Sequence, residues 1–148
     1  MNEMAGAVAP TQPQASYPLV VFLVRVARVM EERVDGSLAE IGLSAAKLAV
    51  LSQLVANDAP LPLGELAARL SCVRSNVTQL IDRMEADGLV RRVDDPNDRR
   101  AVHAKLTDDG RARHREGTSR IAALEERLME QLGDDERESL RALLTKLL

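Results

Sequence analysis

The chain has 148 residues, of which 45% are apolar, and a formal net charge of −3; it contains one Tyr, one Phe and no Trp. This length fits one compact unit, and the scarcity of aromatic residues predicts an aliphatic core, which suits helices packed on helices. A single cysteine excludes an internal disulfide and favours a reducing cytoplasm.

Residues 1–16 are rich in Ala, Pro and Gln without a period, and we expect a flexible tail rather than a secretory signal. No stretch approaches the roughly 18 apolar residues that a membrane span requires, so we expect a cytoplasmic protein with no membrane partner. Residues 17–58 are predicted to form supporting and dimerising helices. The first begins near Pro18, and the second begins after Ser44, a preferred N-cap residue.

Residues 59–106 are predicted to form a winged helix-turn-helix. Apolar residues recur at helical spacing on one face of residues 63–70 and again on one face of residues 77–84, and Gly88 supplies a left-handed stop. The opposite face of the second helix carries groups that donate or accept hydrogen bonds: Arg74, Ser75, Asn76, Thr78, Gln79 and Arg83. A helix that enters the major groove of DNA turns a polar face of this kind towards the bases, so we predict that these six side chains bind DNA.

Two details of this second helix stay open at the sequence level. Ser71 is one candidate for its N-cap, and a start shifted by one residue is the other. Arg83 contacts phosphate or pairs with Asp87, one turn further along.

The segments 89–93 and 101–106 alternate as half-buried strands do, and the turn residues between them end at Arg99 and Arg100. These features predict a two-stranded wing. Residues 69–105 contain eight basic and six acidic side chains, a surplus of two, although the whole chain is acidic. This local surplus predicts salt-sensitive binding to nucleic acid.

Residues 107–148 are predicted to form C-terminal dimerisation helices. Thr107 is the expected N-cap of a long helix that stops at Gly133, and Asp134 is the expected N-cap of the last helix. The terminal helices carry more apolar surface than a winged helix-turn-helix of about 45 residues can cover. We therefore expect them to pack on each other and on a second copy of the chain.

Several motifs in this order resemble the multiple-antibiotic-resistance regulator (MarR) family of transcription factors. They are Glu65-Leu66-Ala67, Val77-Thr78, Leu80-Ile81-Asp82-Arg83-Met84, Gly88-Leu89-Val90, Asp98-x-Arg100 and Leu106-Thr107-x-x-Gly110. The resemblance implies a mainly α fold with a small β-wing, in which a winged helix-turn-helix is flanked by N- and C-terminal dimerisation helices.

The same resemblance implies a homodimer that binds double-stranded DNA at a pseudo-palindromic operator and acts as a repressor. It also implies a small-molecule effector in the cleft between the dimerisation helices and the winged helix-turn-helix. Arg100 is expected to enter the minor groove and Arg99 to meet phosphate or Asp98. Asp98 is expected to shape the tip of the wing.

Two other readings compete with this one. In the first, the winged helix-turn-helix has lost DNA binding and its polar helix face binds a protein. In the second, Cys72 acts as a redox sensor, because neighbouring arginines favour its thiolate. Against the sensor, Cys72 is expected to fill a small apolar slot in the turn. The two histidines, His103 and His114, lack the paired spacing of metal ligands, and no nucleophile or phosphate-loop motif occurs. We therefore expect no metal site, no cofactor and no enzymatic activity.

Overall fold

The computed structural model describes residues 18–95, 98 and 101–148. These residues form six helices and three short strands, which follow in the order α1 (Leu19–Ala39), α2 (Ala45–Asn57), β1 (Leu61–Pro62), α3 (Leu63–Arg69), α4 (Arg74–Ala86), β2 (Val90–Asp94), β3 (Val102–Leu106), α5 (Asp108–Met129) and α6 (Asp134–Thr145). No helix in these ranges combines the length and the apolar character that crossing a membrane requires. The mainly α architecture with a small sheet confirms the predicted fold class.

The core lies where α2, α3 and α4 meet the sheet. Leu38, Leu51, Leu66 and Ile81 are fully buried there, and Met84 completes the contact from the C-terminal half of α4. No polar or charged side chain is buried among the described residues. The core is therefore aliphatic, as the composition predicts, and it holds the helix-turn-helix against α2.

The sheet has three antiparallel strands in the order β1-β3-β2, rather than the two that the sequence predicts. The added strand β1 pairs Leu61 with Ala104 and Pro62 with His103. A strand of two residues, one of them proline, is too short to show alternation, so the sequence does not predict it. Strand β2 pairs with β3 from Val90 opposite Leu106 to Asp94 opposite Val102.

The helix starts confirm two of the three predicted N-caps. The Ser44 hydroxyl accepts the N–H of Lys47 at 3.3 Å, and the Thr107 hydroxyl accepts the N–H of Gly110 at 2.9 Å. The third prediction is wrong, because α6 is capped at Gly133 and Asp134 is its first helical residue. A carboxylate oxygen of Glu136 accepts the Gly133 N–H at 2.8 Å, which makes a capping side chain at position 134 unnecessary. Helix α5 ends at Met129, ahead of the predicted stop.

The terminal helices present apolar faces to solvent. Along α1, Leu38 is the buried residue, whereas Leu19 near its start is 70% exposed. Helix α6 has no buried residue, and its Leu143 is 60% exposed. Both faces agree with the apolar stripes seen in the sequence, and within the single chain they stay uncovered.

A close contact joins the start of α5 to the residues that follow the end of α4. The Thr107 hydroxyl lies 2.7 Å from the Gly88 carbonyl oxygen and 2.9 Å from that of Leu89, and the Thr107 N–H donates to Leu89 at 3.2 Å. Gly110, one turn into α5, packs directly on this carbonyl. A Cβ atom at Gly110 would overlap the Leu89 carbonyl oxygen and lie 2.9 Å from Leu106 Cδ1.

Gly110→Ala should therefore destabilise the fold, because backbone rather than a flexible side chain must shift. We expect the free energy of unfolding to fall by roughly 3 kcal/mol in urea denaturation. Gly64→Ala in α3 is the matched control, since a Cβ there meets nothing within 4 Å. It should leave stability unchanged or raise it slightly. Equal stability of the two variants would mean that α5 does not approach Leu89 this closely.

Candidate nucleic-acid interface

Helix α4 divides into a buried face and an exposed polar face, as the sequence predicts. Val77, Ile81 and Met84 are buried against α3 and the sheet. The predicted site residues of this helix lie on the other side: Arg74, Ser75, Asn76, Gln79 and Arg83 are exposed, and Thr78 is half-buried. The Thr78 hydroxyl donates to the Arg74 carbonyl oxygen at 3.0 Å. The structure thus brings these six side chains together along one helix.

The observed start of α4 agrees with neither of the two alternatives that the sequence leaves open. Ser71 does not cap the helix, because it lies inside the turn with a φ of +51°. The Cys72 N–H donates to the Ala67 carbonyl oxygen at 2.9 Å, which closes the turn on the end of α3. Val73 occupies the N-cap position without a capping side chain, and the first turn of α4 contains no acidic residue. The positive end of the helix dipole is therefore not neutralised locally.

The far end of α4 is tied to α2. Lys47 Nζ lies 2.8 Å from a carboxylate oxygen of Asp87 and donates to the Gly42 carbonyl oxygen at 3.0 Å. Of the two roles that the sequence leaves open for Arg83, the pairing with Asp87 is not the one observed. The Asp87 carboxylate binds a lysine 40 positions earlier in the chain, which no local spacing rule could find. Arg83 is exposed and makes no ion pair with the residues that the structure describes.

The wing places its side chains alternately on two faces. The side that faces the core and α4 carries Val90, Arg92 and Ala104. Arg92 was not among the predicted site residues, yet it contacts α4 through Asp82, Glu85 and the main chain. Because its partners lie seven to fourteen positions away in the sequence, the helical spacing of α4 gives no signal of them.

The turn of the wing is shaped by Asp95. Its carboxylate accepts the N–H of Asp98 at 3.2 Å and lies 3.3 Å from Nε2 of His103. The N–H of Ala101 donates to the Asp98 carbonyl oxygen at 2.9 Å. Asp98 thus takes part in the turn through its backbone, while the predicted wing-shaping role of its side chain stays a prediction. The predicted DNA contacts Arg99 and Arg100 lie outside the described residues.

The two histidines have partners within the fold. His103 faces Asp95, and Nε2 of His114 in α5 lies 3.1 Å from the Ser52 hydroxyl in α2. Burial and, to a smaller extent, the nearby charge of Arg111 lower the pKa of His114, which favours its neutral form. Within residues 18–95, 98 and 101–148, no three potential metal ligands cluster together.

Comparison with known proteins matches this architecture to one family. The model of the MarR family matches residues 43–102, which run from just before α2 to the first residue of β3. A crystal structure of a mutant MarR from E. coli, complexed with operator DNA, superposes with a TM-score of 0.80 and 30% sequence identity. The alignment covers 88% of this chain and 94% of that chain. The chain belongs to the MarR family.

Two curated relatives agree with this placement. The "Uncharacterized HTH-type transcriptional regulator YkoM" of Bacillus subtilis is 41% identical over 71 residues, which cover 48% of this chain and 46% of YkoM. The HTH-type transcriptional regulator PrsX of Escherichia coli is 29% identical over 102 residues, which cover 68% of this chain and 61% of PrsX. The chain thus matches about half to three fifths of the length of these relatives. Their names and the MarR family describe regulators of transcription and not enzymes, as the sequence predicts.

Cys72 lies in a different setting from the one predicted for this MarR-family turn. We expected it to fill a buried apolar slot, but it is exposed, because the turn at Ser71 directs it away from the core. Its sulfur lies 3.3 Å from the Leu70 carbonyl oxygen. Cys72 also lines an open cleft of about 360 Å³ between α2 and α4. The other lining residues are mainly apolar, with two polar exceptions at Asn76 and Arg83.

Proposed function

We propose that this chain is a sequence-specific transcriptional regulator that binds double-stranded DNA as a homodimer on a pseudo-palindromic operator, represses transcription by occupying it, and responds to a small-molecule effector. The observation that carries the proposal is the exposed polar face of α4, with an N-terminus that neither a side chain nor an acidic residue neutralises. The MarR relative whose structure contains operator DNA supports the same partner.

The residue types on α4 suit a major groove. Arg74 and Gln79 can form paired hydrogen bonds with guanine and adenine edges respectively, and Asn76 also suits adenine. Ser75 lies in the first turn, where unpaired backbone N–H groups and the helix dipole favour a phosphate. Arg83 lies one turn beyond Gln79 on the same side, so it would reach phosphate rather than a base.

The wing extends the contact beyond the major groove. We propose that Arg100 enters an adjacent narrow minor groove, where an A·T-rich flank concentrates negative potential, and that Arg99 meets phosphate. This part rests on the Asp98-x-Arg100 motif of the sequence. The base of the wing is fixed by the β2–β3 register, which would set how far the tip reaches.

Gln79→Ala and Arg83→Ala test the DNA contact with two changes four residues apart on one helix face. Arg83→Ala should lower the slope of log affinity against log salt by about one, because a phosphate contact is lost. Gln79→Ala should keep the slope and change which sequences are preferred, because a neutral base contact is lost. Both are measured by fluorescence anisotropy on one duplex, selected from fragments of the source genome, across a salt series.

A gel shift of the unmodified protein with pooled genomic fragments comes first. Failure to retain any fragment would favour the competing reading, in which the reader face binds protein. Identical salt slopes and identical sequence preferences for the two variants would mean that α4 does not face DNA.

The apolar faces of the terminal helices support the homodimer. A fully buried leucine stabilises an assembly by about 1.5–3 kcal/mol, so leaving several in water is unfavourable. Leu140, Leu143, Leu144 and Leu147 recur on one side of α6 and its C-terminal extension, and α1 offers a second apolar stripe. A two-fold axis through these helices would place two copies of α4 about one DNA turn apart.

Leu143→Glu should shift the protein from dimer to monomer, because the partner helices would have to bury a charge. Thr145→Glu is the matched control, since position 145 lies about 200° around the helix from position 143. Light scattering over a concentration series measures both, and only Leu143→Glu should lose tight DNA binding. A dimer of unchanged stability in the Leu143→Glu variant would rule out α6 as the dimer interface.

The cleft beside α4 supports the effector. It is about 360 Å³ in volume, is lined mainly by apolar atoms and contains one cation, Arg83, which suits a small apolar acid. A ligand between α2 and α4 would move one against the other and change the spacing of the two reader helices. An effector that binds more tightly at one spacing of the two α4 helices shifts the protein towards that spacing and so changes its affinity for DNA.

Benzoate at millimolar concentration should weaken DNA binding of the parent protein and of Cys72→Ser equally. Ala49→Leu should abolish the response, because the larger side chain fills the cleft from α2, and Ala49 is not among the residues proposed to contact DNA. Peroxide should release neither the parent nor Cys72→Ser. Release of the parent alone by peroxide, with no effect of benzoate, would replace the small-molecule effector by a redox switch at Cys72.

A further inference from the structure

We propose that Arg92 is a positioning residue that holds the wing and the recognition helix α4 in one relative orientation, so that a major-groove and a minor-groove contact are spaced for the same DNA. The inference rests on the proposed function and adds to it a residue that acts on DNA binding without contacting DNA. Arg92 belongs to β2, whereas every partner of its side chain belongs to α4.

The contacts of Arg92 span two turns of α4. Its guanidinium pairs with the Asp82 carboxylate, lies 3.7 Å from a carboxylate oxygen of Glu85 and donates to the Thr78 carbonyl oxygen at 3.4 Å. Its backbone N–H donates to the other carboxylate oxygen of Glu85 at 2.7 Å. Thr78, Asp82 and Glu85 lie at spacings of four and three, on the flank of the helix between its buried and its exposed face. One side chain therefore fixes both the distance and the rotation of α4 against β2.

The position of Arg92 in the sheet makes this reach possible. It is paired across the sheet with Ala104, which is fully buried and has the smallest side chain that a strand interior normally carries. Its neighbour on the same strand face, Val90, is 2% exposed and packs in the core. The arginine stem thus begins at the edge of the core and carries the charge outward to α4.

The exposure of these groups argues for an effect on geometry more than on stability. The side chains of Arg92, Asp82 and Glu85 are 30%, 52% and 39% exposed. Ion pairs this accessible contribute little to the free energy of unfolding, because water solvates the separated charges nearly as well. Variants of this network should therefore fold, with melting temperatures close to that of the parent.

Asp82→Asn distinguishes a positioning role of Arg92 from a direct contact of Arg92 with phosphate. Removing a carboxylate beside DNA and freeing Arg92 would tighten binding if electrostatics alone mattered. Positioning predicts the opposite, and we expect affinity for the selected duplex to fall about five- to tenfold. Arg92→Ala should weaken binding at least as much, Arg92→Lys should restore part of it, and the Asp82→Asn/Arg92→Ala double variant should be no weaker than Arg92→Ala.

Glu65→Gln is the matched control. Glu65 pairs with Arg69 at 2.5 Å with comparable exposure, 44% and 35%, but both residues lie within α3, so this ion pair itself joins no two elements. Arg69 also donates to the side-chain oxygen of Asn57 in α2 at 3.4 Å, and Glu65→Gln leaves that donor in place. Glu65→Gln removes the same charge near the reader and should bind DNA as tightly as the parent or more tightly. Affinity of Asp82→Asn equal to or above that of the parent would overturn the proposal.

Hydrogen exchange of the free protein tests the tie without DNA. Asp82→Asn should speed exchange in β2 and β3 while α2 and α5 keep the parent's protection. Unchanged exchange in the wing would overturn the positioning role even where DNA binding is altered. Failure of the unmodified protein to bind any duplex would overturn the proposed function, and the exchange result would still judge whether Arg92 ties the wing to α4.

Discussion

The hydrogen bonds around Thr107 fix where the long helix α5 begins relative to the end of the recognition helix. The hydroxyl and N–H of this residue meet the carbonyl oxygens of Gly88 and Leu89, and Gly110 leaves room for the helix to lie directly on that backbone. In the proposed dimer, a movement of α5 would therefore carry the C-terminal end of α4 with it and change the spacing of the two α4 helices.

Much of this arrangement is visible in the sequence because its cause is local. A helix face repeats every three or four residues, a left-handed stop selects glycine at position 88, and an N-cap selects a hydroxyl at Ser44 and Thr107. Each of these rules needs only a few neighbouring residues. The structure confirms them for that reason, and the division of α4 into a buried and a polar face follows from the same periodicity.

The features that sequence analysis missed depend on residues far apart in the chain. Strand β1 exists because Leu61 meets Ala104, and Asp87 is held by Lys47 rather than by the arginine one turn away. Cys72 is exposed because a positive φ at the preceding serine turns the chain outward, although its hydrophobicity alone predicts burial. Burial and ion pairing are decided by tertiary contacts, whereas a single sequence reports only short-range preference.

The two edges of the small sheet affect whether the wings of separate copies can pair with each other. A sheet edge with free N–H groups is a template for another strand, and two wings brought side by side could join through such edges. On one side, β1 offers at most the N–H of Leu61, because Pro62 has none. On the other, the N–H of Arg92 in β2 is already bonded to the Glu85 carboxylate. Fewer N–H groups are therefore left at these two edges for pairing with the wing of another copy, which lowers the tendency of wings to join into a continuous sheet.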